Sequence, residues 1–169
     1  MSGRSVTPGR ATVAGLAVLG LCIAAYLALF QVKVPHSVWD PLPGNGSAWI
    51  LRRSPLVRWL GFPDAAIGVL VYAAEVVLDF WGDDRRASTQ PWVVATAGVL
   101  AAGMAVGSLG LVALQAVFGH WCFLCLASAV LSVAIAALLA PEVRAAVRTL
   151  RTPGSHTTPA RDHNPVSAR

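Results

Sequence analysis

Charge is scarce in this chain: 12% of its 169 residues are Asp, Glu, Lys or Arg, against 56% hydrophobic. A soluble domain carries about 25% charged and roughly 45–50% apolar residues. The deficit excludes an ordinary water-soluble core under a charged surface. Cysteine is scarcer still, with Cys22, Cys122 and Cys125 as the only three. A structural zinc site takes about four ligands, commonly two Cys pairs. His36 and His120 do not complete such a set at this spacing, so no metal is expected. A small-x-small cleavage site is also missing after the first apolar run, which ends "LALFQVKVP". That run exceeds the roughly 7–15 residues of a signal peptide core, and it reads as a retained helix. Broken-helix repeats and paired intramembrane charges, the marks of a transporter, are lacking too.

What the sequence does have is four long apolar runs: Val13 to Phe30, Ala65 to Trp81, Trp92 to Phe118 and Trp121 to Ala140. About 20 such residues cross a bilayer as a helix. Gly and Ala crowd the last two runs, as in "AAGMAVGSLG", which lets helix backbones approach closely. The expected fold is an all-α membrane protein, a four-transmembrane-helix bundle over 13–140. A tail at 1–12 precedes it, a long outer loop at 31–64 carries a short interfacial helix, and a basic tail at 141–169 is largely disordered after about 152. The second run is the weakest because it contains Glu75 and Asp79. Carboxylates inside a membrane point to function by default. Asp79 is expected near the helix end, in solvent. Glu75 lies deeper, where it can pair with a base, accept a hydrogen bond or handle a proton.

Basic residues segregate. Arg4, Arg10, Arg85, Arg86, Arg144, Arg148, Arg151, Arg161 and Arg169, nine of the thirteen, fall in segments that share one side if the chain crosses four times. The positive-inside bias puts both termini in the cytoplasm of a multi-pass cell-membrane protein. The net charge of +5 then follows from topology and needs no nucleic acid. The long loop faces outside. It is turn-rich at "HSVWDPLPGNG", with His36 and Asp40 placed to face a partner. It then mixes Trp49, Ile50 and Trp59 with Arg52, Arg53 and Arg58. A helix starting near Ser47 fits there, either as a lid or as an interfacial anchor.

The outer face also receives "HWCFLC", with Cys122 and Cys125 three apart on one helical face. A helix N-terminus favours the thiolate, which is the attacking species in disulfide exchange. His120 and Trp121 stand just before the pair, and an imidazolium would add the same bias. The pair reads as redox-active or, in the plainer alternative, as two small packing residues. Cys22, alone among Leu and Ile, reads as packing. A redox pair where water meets lipid can meet a soluble dithiol from outside and a lipid-soluble two-electron carrier, a quinone, from within.

With "WCFLC" opening the fourth run and "SPLVRWLGFPDAAIGVLVY" after the loop, the chain resembles the vitamin K epoxide reductase family, in its bacterial disulfide-forming branch, over roughly Ala11 to Ala140. Ser54, Gly61, Pro63, Gly68 and Tyr72 fall in step with the family pattern. The resemblance implies that Cys125 is the cysteine nearest the quinone and that Cys122 exchanges with an extracytoplasmic thioredoxin-like thiol protein. It implies a quinone pocket among the helices at Asp64, Gly68, Tyr72 and Phe62; from its own place near the outer end of the third helix, Gln115 is expected to line that pocket. His120, Trp121 and Ser54 are expected as tuning residues. Asp64 stands where the family has Asn, and it donates a hydrogen bond only in its acid form. Alternatively it caps the second helix. Two departures stand out. The loop lacks the family's second cysteine pair, with Ala48 near one of those places, and Ala129 stands where vertebrate enzymes carry Tyr. The expected function is a membrane thiol–quinone oxidoreductase drawing on the menaquinone or ubiquinone pool. The alternative is a non-catalytic quinone-binding or scaffold subunit of the same fold.

Overall fold

The computed structural model describes residues 8–34, 37–42, 46–53, 61, 63–81 and 86–151. Ser54, Phe62, His36, Arg58 and the tail after 152 lie outside them. Among the described residues the chain is helical, without a strand. The helices are α1 (Pro8–Gln31), α2 (Gly46–Arg53), α3 (Asp64–Phe80), α4 (Arg86–Thr89), α5 (Pro91–Phe118) and α6 (Phe123–Arg151). α1 packs chiefly along α3 and α5 along α6, and contacts of α1 with α6 and α3 with α5 close the bundle.

Proline and left-handed residues punctuate these helices. Pro8 and Pro91 open α1 and α5, a place where the missing N–H would be unpaired anyway. Lys33 and Gly119, each with φ 66°, end α1 and α5. Past Lys33 the Val34 N–H reaches back to the Leu29 carbonyl at 3.0 Å, tying off the last turn. Three expected boundaries shift. Pro63 takes the cap position of α3, so Asp64 is its first residue. α2 begins at Gly46, and the Ser47 hydroxyl donates to the Asp40 carboxylate instead of capping. α6 runs on past Ala140 to Arg151 with Pro141 inside it, because Glu142 is anchored on α4.

α1, α5 and α6 are each long and apolar enough to cross a membrane. Leu19, Leu70, Val106, Val117 and Val130 are exposed on the bundle's outside. Water does not tolerate so much contiguous apolar surface, and lipid does. The chain is a membrane protein. α3 has 17 residues, about 25 Å at 1.5 Å per residue, against roughly 30 Å for the hydrocarbon core. Three of the four expected crossings therefore stand on length and hydropathy, and α3 falls short.

α3 is held at one end by charge. Arg86, 2% exposed, donates to Asp79 Oδ1 at 3.2 Å, to Glu142 Oε2 at 3.0 Å and to the Leu78 carbonyl at 2.9 Å. Arg10 donates to the Asp79 carbonyl. Asp79 is thus buried and paired rather than solvated, because α4 folds back over the end of α3. Removing one partner of a buried pair typically costs about 3–5 kcal/mol. Arg86→Ala should therefore lower the thermal unfolding midpoint in detergent by several degrees, and adding Asp79→Asn should recover part of the loss.

Candidate redox site

The site begins at the turn between α5 and α6. Gly119 ends α5 in the left-handed conformation that glycine tolerates best. His120, Trp121 and Cys122 follow, and α6 starts at Phe123. Cys122 therefore occupies the cap position. Its N–H donates to Oε1 of buried Gln115 at 2.8 Å. Its Sγ accepts the Cys125 N–H at 3.3 Å, and its carbonyl accepts the Leu126 N–H at 3.0 Å. The two sulfurs are joined as a disulfide, with Cα atoms 5.3 Å apart. This is the oxidised member of a dithiol–disulfide couple. Cys122 at the cap and Cys125 in the first turn stand at the N-terminal end of a 29-residue helix.

The two cysteines have different surroundings. Cys122 is 0% exposed. Cys125 lies on the wall of a cavity of about 840 Å³, inside the range of roughly 300–1,000 Å³ common for small-molecule sites. α1 lines it with Ala24 and Leu27, α3 with Asp64, Gly68 and Val71, α5 with one face from Val99 to Phe118, and α6 with Cys125 and Ser128. The lining is apolar apart from Asp64, Gln115, Ser108, Ser128 and the sulfur. Few polar groups in a greasy cleft is what a lipid-soluble ring with polar substituents requires.

α2 lies across the cysteine end, and Trp49, Ile50 and Leu51 contribute to the cavity wall. Gly46 sits against the Trp121 backbone so closely that a Cβ would overlap the Trp121 carbonyl oxygen. Trp49 stacks on His120, with ring centroids 4.0 Å apart and planes at 14°, and tilts against Phe118 at 5.7 Å. Trp39 meets Phe123 edge-on at 6.0 Å, and the Trp39 backbone N–H donates to the Tyr26 hydroxyl at 3.0 Å. Arg52 lies 5.5 Å above the Phe30 ring. The loop segment covers the bundle rather than trailing from it.

Of the residues singled out from sequence, Asp64, Gly68, Gln115 and Cys125 share the cavity. Tyr72 does not line it. That side chain is buried one layer below, with its hydroxyl 3.0 Å from the Ser128 carbonyl, 3.1 Å from Ser128 Oγ and 2.9 Å from Ser132 Oγ. The His120 Nδ1–H donates to the Phe118 carbonyl at 2.7 Å. Trp121 bears on the site through its backbone. Cys22 is exposed, on the lipid-facing side of α1 rather than packed inside. Gln31 escaped the sequence reading. Its Nε2 donates to Asp64 Oδ1 and to the Leu51 carbonyl at 3.4 Å, and its Oε1 accepts the Ala65 N–H at 3.1 Å. It ties the end of α1 to α2 and to the start of α3, holding Asp64 at the cavity. The one available signal was an amide closing an apolar run. Ser128 was also missed, although it lies three residues past Cys125 on the same helical face.

Comparison with protein families matches residues 11–140 to the vitamin K epoxide reductase family. Comparison with curated proteins and with solved structures gives no match.

The Gly46–Trp121 contact tests how α2 covers the sulfurs. Forcing a methyl into a packed contact costs about 1–3 kcal/mol, and roughly 1.4 kcal/mol is tenfold in an equilibrium. In the reduced protein, Gly46→Ala should raise the rate at which a water-soluble maleimide labels Cys122 by about tenfold. Labelling of the same protein unfolded in denaturant, where every cysteine is open, serves as the internal reference.

Proposed function

The chain belongs to the vitamin K epoxide reductase family, and from that premise we propose that it is a thiol–quinone oxidoreductase that takes electrons from extracytoplasmic dithiols through Cys122 and Cys125 and so supports disulfide formation. One observation carries the reading: Cys125, half of a Cys-x-x-Cys disulfide, stands on the wall of an apolar cavity that also holds Asp64 and Gln115. Family members are membrane oxidoreductases that use a quinone as redox partner and work with thioredoxin-like proteins.

A bound menaquinone or ubiquinone supplies an acceptor for two electrons and two protons. The chain's own residues do the rest. Leu27, Val71, Leu111, Leu114 and Phe118 exclude water and fit the faces of a ring. Gln115 gives its oxygen to the Cys122 N–H, which leaves its amide NH₂ for a ring carbonyl. Asp64, steadied by Gln31, is the second polar contact. Gly68 keeps the α3 wall low, and Phe62 and Ser54 complete the proposed set. Cys122 is the sulfur that exchanges with the partner. Because it is buried, exchange requires α2 and the Trp39 segment to lift. In this reading α3 also crosses the bilayer, giving four crossings, and the arginine-rich end of the bundle with both termini faces the cytoplasm.

A second reading is supported by the absence of any cysteine between residues 31 and 64: a quinone-binding or scaffold subunit that has lost the relay. One experiment separates the two. In detergent, the wild type should reduce a water-soluble quinone analogue at the expense of dithiothreitol, and Cys125→Ala should abolish that turnover. In cells, Cys125→Ala should accumulate mixed disulfides through Cys122. Turnover unchanged in Cys125→Ala, or no mixed disulfide, would favour the scaffold. Losing one hydrogen bond of about 1 kcal/mol, Asp64→Ala should raise the KM for quinone by about fivefold to tenfold. Asp64→Asn should restore it.

A further inference from the structure

Below the cavity sits an acid that the redox reading does not use. Glu75 on α3 is 2% exposed, and among the described residues neither of its carboxylate oxygens has a hydrogen-bond partner. An unpaired carboxylate in such surroundings is expensive, so the acid form is the one the site can hold. Glu75 borders a small cavity of about 10 Å³ with Tyr72, Ser132, Ala101, Met104 and Ile135. That is about the room one water takes.

From there a line of hydroxyls leads upward. Tyr72 Oη is 2.9 Å from Ser132 Oγ and 3.1 Å from Ser128 Oγ. Ser128 lines the large cavity beside Cys125, and Met104 lines both cavities. Downward, one turn along α3, stands Asp79, paired with Arg86 and close to Arg10. Arg86 in turn reaches Glu142, which is partly exposed. α5 and α6 contribute no charge around the small cavity, only Ala101 and Met104, and Ser132 and Ile135.

We propose that Glu75, Tyr72, Ser132 and Ser128 form a proton route from the arginine-bearing end of the bundle to the redox cavity. The proposal rests on the thiol–quinone reading. Closing the Cys122–Cys125 disulfide against a quinone breaks two S–H bonds, forms one S–S bond, moves two electrons to the ring and forms two O–H bonds. One of those O–H bonds takes its proton from the Ser128 and Tyr72 hydroxyls, which Glu75 refills across the small cavity. The other takes a cysteine proton, and the remaining cysteine proton leaves to water at the Cys122 end. Glu75 regains its proton from the Asp79 side. Each turnover then takes up one proton at one end of the bundle and releases one at the other. This also accounts for the place of Tyr72, one layer short of the ring.

Two readouts test it. The first needs no turnover. The infrared spectrum of the purified wild type without quinone should contain a carboxylic-acid C=O band of a buried acid that Glu75→Gln removes. The second is kinetic. With dithiothreitol and a quinone analogue, Glu75→Gln and Tyr72→Phe should each lower kcat about tenfold or more, as loss of a proton-transfer group does. The KM for quinone should stay unchanged, and Glu75→Asp should regain part of the rate. Both replacements are close in shape, and thermal unfolding in detergent confirms that each variant is folded. A missing infrared band, or full kcat in Glu75→Gln and Tyr72→Phe beside an active wild type, overturns the route and leaves the redox reading standing. A wild type without Cys125-dependent turnover overturns both.

Discussion

The hydrogen bond from the Cys122 N–H to the Gln115 side chain, 2.8 Å long and buried, is the contact on which the site depends. Wherever a helix ends beside lipid, its free N–H and C=O groups must find partners within the protein. The turn from α5 to α6 leaves such groups on both sides. Gly119 returns its own N–H to the last carbonyls of α5, and Gln115 and the Cys122 sulfur meet the first N–H groups of α6. These bonds fix where α6 begins, and so put Cys125 one turn in, on the cavity wall. They also fix the Trp121 backbone against which Gly46 seats α2. A residue that satisfies the backbone thereby positions the sulfurs, and it faces the cavity as well.

The bundle is polarised along its length. At one end Arg86 gathers Asp79 and Glu142, joining α3, α4 and α6. At the other, Trp39 and Trp49 from the loop segment meet Phe123 and His120, which flank Cys122. α3 is the shortest of the four long helices, and it is the one both ends need. Its first residue, Asp64, is at the cavity, and its last turn is locked by Arg86. That division explains how α3 keeps two buried carboxylates without leaving the bundle. Asp79 has its cation, and Glu75 lies between the lock and the cavity.

The helices were legible because lipid imposes a simple code: runs of about 20 apolar residues, ended by Pro and Gly. The cysteine pair was legible because its spacing is local, within one turn of one helix. Contacts between helices were not. Gln31 looked like a boundary residue, yet it bridges α1, α2 and α3. Tyr72 fell in step with a pocket motif, yet its hydroxyl is turned to Ser128 and Ser132 on α6. Cys22 looked buried because its neighbours are apolar, but lipid-facing and core-facing surfaces of such a helix read alike. Periodicity separates faces only when one of them is polar, and in this chain both are greasy. The extension of α6 through Pro141 was hidden for a related reason: the Glu142–Arg86 contact that holds it spans 56 residues.

A loop without cysteines over a buried Cys122 is compatible with exchange if the cover opens fast enough. A stacked aromatic pair such as Trp49–His120 contributes about 0.5–1.5 kcal/mol, and a hydrogen bond such as that from Trp39 to Tyr26 about 1 kcal/mol net. With Leu51 also buried against Leu27 and Phe30, opening costs about a few kcal/mol, a gap at which the minor state is populated at roughly 0.1–10%. Loop and lid movements of this kind run on microsecond to millisecond scales, whereas a typical enzyme turns over about 10 times per second. Under the proposed function such opening is quick compared with turnover, and direct attack on Cys122 by an external thiolate would need no relay cysteine. In that reading the aromatic cover has two roles that a cysteine-bearing loop would share with covalent chemistry. It keeps water from the sulfurs while the cavity is engaged, and it admits a thiol only when the α2 segment lifts from Trp121.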